Sequence, residues 1–375
     1  MTSISPEISV IMHLIIFAYG LLIIFLVWGW YKVKGQRLED GPQEHSYSVL
    51  IPFRNEKDTL PLLLSSLEGQ NFSKGLQKIL FVNDHSDVPS VEIIKNYSGH
   101  LPVELIDLGP QEKGKKDALK KAWSRLDTGY IVQLDADVFL HDKWAESISP
   151  LIGKADLCIL PIEFEYKSIW QAISSLEFMA LSMTTFGSAG LGKAILANGA
   201  HLIYKKEGLS DLAASNSWTK TASGDDMKLV EHFSKTGKVK AFLRPWLKVS
   251  TRSATTLKEL FTQRLRWAGK TRVNGTITSL LAGLFAILVN VLFAISLVQI
   301  FKGYSAPVPL FHVFASSKVF LDIFFLWPAL SYFRKRSLIL FYPILAIAYP
   351  FYVLLILILS FKKTSAWKER EIKIN

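Results

Sequence analysis

The apolar residues divide the chain into one N-terminal apolar segment, a long region of mixed pattern, and a group of apolar segments near the C-terminus. Residues 10–30 contain no Asp, Glu, Lys or Arg, and about 20 helical residues suffice to cross a bilayer core of roughly 30 Å. We therefore predict a transmembrane anchor there. A cleaved signal peptide is the alternative, but this segment lacks a preceding basic run and exceeds the usual apolar length.

Three further apolar segments cover residues 276–301, 306–333 and 337–361. Each is long enough to span a bilayer. Pro343 and Pro350 lie in the last one, and because each removes a backbone donor, that segment could instead be interfacial or re-entrant. We predict two or three membrane spans within residues 276–361, followed by a basic tail over residues 362–375.

The region between these segments, residues 46–254, alternates short apolar runs rich in β-formers with helical patterns. The predicted strands are residues 47–51, 79–82, 103–106, 130–134 and 157–160. Such alternation is typical of an α/β domain with a mainly parallel sheet and helices on both faces. Ligands of these sheets bind at the carboxyl ends of the strands.

Polar residues follow three of the predicted strands, at residues 54–56, 83–87 and 135–137. Each group alone is compatible with an ordinary turn, but three at one sheet edge indicate a binding site. Asp135 and Asp137 are two residues apart, so in an extended backbone their side chains leave the same face. Two such carboxylates can share Mg²⁺ or Mn²⁺ with the oxygens of a diphosphate.

Two further groups carry candidate chemistry. Lys115 lies in a basic turn that opens a helical pattern, where a phosphate can bind, although a solvated turn is the alternative. Asp225 and Asp226 open another helical pattern, where a carboxylate could take a proton from an attacking hydroxyl. Ser223 could instead cap that helix, with the aspartates only complementing its dipole.

A last polar group lies in the predicted amphipathic helix over residues 255–270, just before the second apolar segment. Gln263, Arg266 and Trp267 are spaced to share one helix face, with Arg264 turned away from it. An Arg can bind a diphosphate and an indole can stack on a sugar. The apolar residues expected to rest on the membrane are Leu257, Leu260, Phe261 and Leu265.

The net charge of +11 would fit nucleic-acid binding, but many cations flank the apolar segments, so anionic membrane lipid is the simpler partner. Basic residues follow the first segment at 32, 34 and 37 and lie between the last two at 334–336. By the positive-inside rule they place the 46–254 domain in the cytoplasm, on the inner face of the cell membrane. Cys158 is the single cysteine and is predicted to be buried and unreactive.

The order of these motifs resembles family-2 inverting glycosyltransferases, in particular the membrane-integrated branch with cellulose and hyaluronan synthases. That branch has an early Asp, a D-x-D, a T-E-D-like acid motif and a Q-x-x-R-W in this order. The similarity covers residues 47–270 and implies a GT-A fold, a nucleotide-sugar donor, Mg²⁺ or Mn²⁺, and a lipid-linked or saccharide acceptor. It does not identify the sugar, and UDP is inferred from the family alone.

The resemblance also implies roles for individual residues. Those on the nucleotide-sugar side are Asp84, Lys115, Asp135, Asp137 and Arg266, with Asp135 and Asp137 engaging the metal. Asp226 would be the catalytic base, with Asp225 in the place of the motif's Glu. The acceptor-side residues would be Asn198, Gly199, Gln263 and Trp267.

Two positions depart from the family pattern: Asn83 stands where an Asp is usual, and Gly224 and Asp225 replace Thr-Glu. Two other function classes remain open at this stage. Lys318 and Asp322 lie four residues apart inside an apolar segment, which would also fit a transporter. A catalytically silent membrane scaffold would keep the fold, but it could lose the acids that are present here.

Overall fold

The computed structural model describes residues 6–37, 45–215, 218, 224–274, 276–303, 310–360, 364–367 and 370–373. Within these ranges the chain forms an α/β domain joined to four long apolar helices. Ser223 lies outside the described residues, as do residues 362–363, 368–369 and 374–375 of the predicted basic tail.

Twelve strands are present in the described residues. They are β1 Tyr47–Phe53, β2 Leu76–Asn83, β3 Val103–Asp107, β4 Tyr130–Leu134, β5 Val138–Leu140, β6 Leu157–Ile159, β7 Ile162–Glu165, β8 His201–Lys205, β9 Val239–Ala241, β10 Val249–Arg252, β11 Thr364–Trp367 and β12 Arg370–Lys373. Seven of them form the main sheet in the order β3-β2-β1-β4-β8-β6-β9. The five strands predicted from the sequence are β1, β2, β3, β4 and β6.

Within the described ranges, twelve α-helices connect and flank these strands. They are α1 Pro6–Lys34, α2 Leu60–Glu68, α3 Val88–Lys95, α4 Gly114–Arg125, α5 Trp144–Ile148, α6 Ile169–Gly190, α7 Leu209–Ala214, α8 Asp225–Thr236, α9 Leu257–Asn274, α10 Ile277–Phe301, α11 Leu310–Tyr332 and α12 Tyr342–Leu359. Residue 218 is also helical.

The main sheet is mostly parallel, as predicted. Strands β1, β2, β3 and β4 pair in parallel, and every residue of β1 and β4 is buried, as expected for strands covered on both faces. One strand breaks the pattern: β8 pairs antiparallel with both β4 and β6. Its amino end therefore lies beside the carboxyl end of β4, and this arrangement builds the candidate site described below.

A smaller sheet in the order β5-β10-β7 extends from the carboxyl end of β4. Strand β10 pairs antiparallel with β5 and parallel with β7. Strands β11 and β12 form a separate antiparallel pair near the C-terminus.

Four helical segments are long and apolar enough to cross a membrane: Pro6–Lys34, Ile277–Phe301, Leu310–Tyr332 and Arg336–Leu359. Many of their large side chains are exposed, for example Phe17, Leu281 and Phe320, which points to association with a membrane. Pro350 lies inside α12 without ending the helix.

The charged pair inside α11 is internally bonded. Lys318 Nζ lies 2.6 Å from Asp322 Oδ2, and the hydroxyls of Tyr19 and Tyr342 donate to the same carboxylate at 2.6 and 2.8 Å. Burying two charges is tolerable when they are paired and hydrogen-bonded in this way. The pair thus ties α1, α11 and α12 together, as expected of an ion pair that neutralises itself within a helix bundle.

Helix α6 of the α/β domain crosses α1 with almost no space between the two backbones. A Cβ atom added to Gly29 would lie 2.0 Å from the carbonyl oxygen of Gly187, and one added to Gly190 would lie 1.9 Å from the carbonyl oxygen of Gly29. Such contacts are impossible without moving a helix. The glycines therefore allow α6 to pack directly against the predicted anchor.

Replacing Gly187 with Ala is expected to destabilise the protein by about 1–3 kcal/mol. Its Cβ would lie 2.5 Å from the carbonyl oxygen of Leu26, so α1 and α6 must separate. Thermal unfolding in detergent would measure the effect. Gly283→Ala is the matched control because open space surrounds that position within 4 Å; equal unfolding midpoints for the two variants would contradict the close crossing.

Helix α9 packs more within the protein than the sequence indicated. Leu260, expected to rest on the membrane, is buried. Phe261 packs edge-on against Tyr352 of α12, with ring centroids 5.2 Å apart. Of the four apolar residues expected to rest on the membrane, Leu257 is exposed and Leu265 is half-buried. The expectation of a lipid-facing residue was wrong for Leu260, which is buried, whereas Phe261 is half-buried and partly covered by α12.

Two ionisable side chains of the core are held in their neutral form. Cys158 is fully buried, as predicted, and burial raises the pKa of its thiol to about 12. Burial likewise lowers the pKa of His201 from 6.5 to about 3. Trp144 Nε1 donates to His201 Nε2 at 3.0 Å, and His201 Nδ1 lies 3.2 Å from the carbonyl oxygen of Pro161.

His201 is expected to make the fold acid-sensitive. Because its pKa is lower in the folded state, the unfolded chain binds the proton more strongly, so this stability is complete above pH 6.5 and is lost as the pH falls towards 3. The loss should reach about 2 kcal/mol at pH 5. Unfolding midpoints at pH 7.5 and pH 5 test this. The difference should shrink in His201→Gln and persist in the exposed control His100→Gln.

Candidate active site

The loops after β1, β2 and β4 lie at one edge of the main sheet, where the sequence predicted a site. The strand geometry stops at Leu134, and residues 136–137 form a turn, so the extended backbone assumed for the D-x-D does not continue. The burial pattern nevertheless alternates: Asp135 and Asp137 are half-buried while Ala136 between them is buried. The negative charges of both aspartates favour the charged form of the Arg266 guanidinium.

Lys115, at the start of α4, makes polar contacts with three residues at this edge of the sheet. Its Nζ lies 2.5 Å from Asp135 Oδ1, 3.6 Å from Asp225 Oδ2 and 3.1 Å from the carbonyl oxygen of Gly199. Burial opposes its charge, but Asp135 and Asp225 together raise the pKa of Lys115 above its usual value. The lysine is therefore a fixed cation at the centre of the candidate site.

Asp225 and Asp226 point in different directions although they are adjacent. Both are buried in the first turn of α8, whose N-cap is Gly224 at φ 94°, not Ser223. Asp225 faces Lys115, and its Oδ2 is also 3.4 Å from Gln133 Nε2. Asp226 accepts from the backbone N–H groups of Gly199 at 3.3 Å and Met227 at 2.6 Å.

Gly199 is surrounded by these charged groups. A Cβ at this position would lie 2.8 Å from Asp225 Oδ2, 3.1 Å from Lys115 Nζ and 3.2 Å from Gln133 Nε2. The segment lies just before β8, and the carbonyl of the next residue, Ala200, accepts from the backbone N–H of Asp135 at 3.3 Å. Glycine is needed here because the backbone itself forms part of the site.

Arg266 of α9 faces all four carboxylates of the cluster. Burial lowers the pKa of its guanidinium, while the charges of the four acids raise it. These acids are Asp135, Asp137, Asp225 and Asp226. Apart from Asp84, the sequence-predicted acids and the Arg of Q-x-x-R-W thus come together in the structure, although more than a hundred residues separate some of them.

Arg264 does not turn away from this region, contrary to the prediction. It is buried, pairs with Glu177 of α6 at 2.7 Å, and lies 4.2 Å from the ring centroid of Trp267. Its Nη1 also donates to Gln263 Oε1 at 3.0 Å. Helix α9 packs against α6 on this side, so Arg264 positions Gln263 and Trp267.

Beyond Asp226 lies a cavity of about 150 Å³. Asp226, Asn198 and Trp267 border it, and α6 supplies much of the remaining wall. The wall residues of α6 are Phe178, Leu181, Ser182, Thr185 and Phe186. Three predicted site residues are thereby brought to one cavity.

Asp84 lies at the end of β2, two strands from β4, and its described contacts are to the β1 loop. Its backbone carbonyl accepts from Arg54 Nη1 at 2.7 Å. Asn83 beside it donates to Asp107 Oδ1 at 2.7 Å and accepts from the backbone N–H of Ser86 at 2.8 Å. An Asp at position 83 would face the Asp107 carboxylate, which gives a physical reason for this departure from the family pattern.

Gln133 is a site residue that the sequence reasoning missed. It lies in the fully buried strand β4, and its Nε2 donates to the carbonyl of Gly199 at 2.6 Å. Its Oε1 accepts from Tyr204, whose hydroxyl in turn accepts from Trp123 Nε1. The available signal was a single polar residue inside an apolar strand, because such a group is buried only where it is hydrogen-bonded.

The acids of the site need further ligands, such as substrate phosphates, to hold a divalent cation. Among the described residues, no three or more His, Cys, Asp or Glu side chains gather to hold a metal ion. Mg²⁺, however, is commonly bound by one or two carboxylates together with substrate phosphates, and Asp135 and Asp137 fit that type. Four carboxylates also face two cations, Lys115 and Arg266, which leaves excess negative charge.

Comparison with known proteins agrees with this geometry. Residues 48–211 match the Glycosyl transferase family 2 profile. A pre-mycofactocin glycosyltransferase from Mycobacterium tuberculosis is 29% identical over 116 residues, which are 31% of this chain and 23% of that protein. The chain therefore spans only about a quarter of the length of this curated relative.

Among solved structures, the mannosyltransferase PcManGT from Pyrobaculum calidifontis, in complex with GDP-Man and Mn²⁺, superposes with a TM-score of 0.53. The alignment covers 94% of this chain and 97% of that one, at 14% sequence identity. At this identity the similarity concerns the fold. It places the α/β domain and its mostly parallel sheet among GT-A-type folds.

Proposed function

We propose that this protein is a membrane-bound, inverting glycosyltransferase, since residues 48–211 match the Glycosyl transferase family 2 model. It moves a hexose from a nucleotide-sugar, most simply a UDP-sugar, to a lipid-linked or saccharide acceptor. The observation that carries the proposal is that Arg266, Lys115 and the D-x-D gather with Asp225 and Asp226, and that Asp226 also borders a cavity.

In the proposed mechanism, Asp226 takes the proton of an acceptor hydroxyl in the cavity. The acceptor oxygen attacks the anomeric carbon of the donor while the bond from that carbon to the diphosphate oxygen breaks. The electron pair leaves with the nucleoside diphosphate, and configuration at the anomeric carbon inverts. The fixed cations Arg266 and Lys115 stabilise the negative charge that develops on the leaving group.

A divalent cation on Asp135 and Asp137 would neutralise diphosphate charge when bound. Lys115 already bonds Asp135 at 2.5 Å, so metal and donor are expected to bind together rather than metal first. This order follows from the donor set, because two carboxylates leave most coordination positions of Mg²⁺ to phosphate and water.

We also propose that the domain lies on the cytoplasmic side of the inner membrane. Lys32 and Lys34 lie in the last turn of α1, and Lys335 follows α11 on the side of the α/β domain. Its Nζ donates to the carbonyl of Phe164 and lies 3.5 Å from Glu163. The cations thus lie on the side of the α/β domain, as the positive-inside rule requires for a cytoplasmic domain.

The test is a screen of purified protein in detergent against nucleotide-sugars with Mn²⁺ or Mg²⁺, measuring released nucleoside diphosphate. We expect release with one donor class, abolished by a chelator and restored by added metal. Equilibrium binding of metal with and without nucleoside diphosphate tests the coupled binding. No release with any donor, together with no metal-dependent nucleotide binding, would overturn the proposed function.

A further inference from the structure

We propose that the cavity beside Asp226 binds the apolar part of the acceptor, so that the acceptor is a membrane amphiphile rather than a free saccharide. This inference rests on the proposed function, and it adds the chemical class of the acceptor. It begins with the composition of the wall. Fourteen residues line the cavity, and four of them have polar side chains: Ser182, Thr185, Asn198 and Asp226. Trp267 adds only the N–H group of its indole ring.

The polar groups are not spread evenly around the cavity. Asp226 and Asn198 border it where Gly199 joins it to the charged cluster. The apolar lining residues come from β6, the start of β7, α6 and the segment before Asn198, while Ser182 and Thr185 of α6 add two hydroxyls. A ligand that satisfies both regions has a hydroxyl at one end and an apolar group attached to it.

The cavity volume fits a short apolar group. A cavity of about 150 Å³ lined by Leu, Ile and Phe stays dry and takes a benzene-sized guest, about six carbons. This cavity has that volume, and ten of its 14 lining residues are apolar or aromatic. Most hydroxyls of a sugar ring would lack hydrogen-bond partners on this wall. Each such hydroxyl would lower the binding free energy by about 1–3 kcal/mol.

The membrane helices form the other side of the same wall. Phe186 lines the cavity and packs edge-on against Trp30 of α1, with ring centroids 5.7 Å apart. Trp30 in turn packs against Tyr332 of α11 at 5.8 Å. Only one layer of side chains therefore separates the cavity from two candidate membrane spans, which favours an acceptor drawn from the membrane.

The first test compares methyl and hexyl β-glucosides as acceptors, with free oligosaccharides alongside, using the protein in lipid nanodiscs and the donor found in the screen. Each methylene that enters the cavity should raise kcat/KM about fourfold, with no further gain beyond about six carbons. A methyl-to-hexyl ratio near one, or a higher kcat/KM for free oligosaccharides, would overturn the proposal.

Matched variants locate the effect. Leu181→Trp fills the cavity and should bring the hexyl preference to near unity, whereas Leu181→Ala should shift the optimum towards longer chains. Ile169→Trp changes an exposed residue of the same helix and should keep the wild-type preference. An unchanged preference in both Leu181 variants would place the apolar group elsewhere.

If neither glucoside is a substrate, a binding measurement still tests whether the apolar group occupies the cavity. A hexyl β-glucoside with a diazirine on its terminal carbon is photolysed with the full-length protein, and the labelled residues are mapped by mass spectrometry. Labelling of residues 178–186 or 196–198 that excess hexyl glucoside prevents supports the cavity. Labelling confined to the exposed faces of α1, α10, α11 and α12 overturns it. Failure of the proposed function shows separately, as no nucleoside diphosphate release from any donor.

Discussion

Asp226→Asn is expected to lower the turnover number for sugar transfer by about a thousandfold, within the range known for loss of a general base. Asn keeps the size and can still accept from the backbone N–H of Gly199, which lies 3.3 Å from Asp226 Oδ2. It cannot accept the proton of the attacking hydroxyl. The loss should therefore appear in kcat, with the KM for the donor nearly unchanged.

Two other carboxylates make the comparison specific. Asp225→Asn removes a partner of Lys115 at 3.6 Å and should act mainly through donor binding, raising the donor KM. Glu231→Gln changes an acid of the same helix that pairs with Lys228 and Lys235 and should leave kcat at the wild-type value. If Asp226→Asn behaves like Glu231→Gln, Asp226 is not the base.

Arg266→Gln is expected to lower kcat/KM by about a hundredfold to a thousandfold. Arg266 is half-buried and its guanidinium is within electrostatic range of four carboxylates, so a fixed positive charge is in place before the leaving group becomes charged. Without Arg266, Lys115 is the one remaining cation of the cluster that balances these acids. The expected result is weaker metal-dependent donor binding as well as slower transfer.

Arg266→Lys separates charge from shape. The lysine keeps the positive charge but loses the planar, bidentate geometry that fits a diphosphate, so it should recover only part of the lost kcat/KM. Arg125→Gln, an exposed arginine at the end of α4, is the control and should match the wild type. Full activity in Arg266→Gln would exclude Arg266 from stabilising the leaving group.

Local pattern alone predicted much of the architecture. The five strands and the four apolar segments could be found because strand and membrane helix each have a short-range signature, apolar runs of characteristic length. The strand-end acids could be placed at one edge because parallel strands align their carboxyl ends. Their chemical roles, and the donor and acceptor, stay predictions that the experiments above address.

Side-chain orientation on α9 could not be predicted from spacing. Gln263, Arg266 and Trp267 share a face by helical geometry, and the same geometry led to Arg264 being placed outside. Its pairing with Glu177, 87 residues away, depends on where α6 lies, and nothing local encodes that. The same holds for Phe261, whose contact with Tyr352 depends on where α12 lies.

The sequence by itself determined which segments are strands, which are apolar enough to span a membrane, and which acids and cations are available for a site. Only the tertiary structure decided how they combine. The antiparallel insertion of β8 brings Gly199 beside β4, turns Asp225 towards Lys115 and leaves Asp226 at the cavity formed by α6. The reason is physical: strand and helix formation are governed by neighbours a few residues apart, whereas these contacts join residues 27 to 110 positions apart.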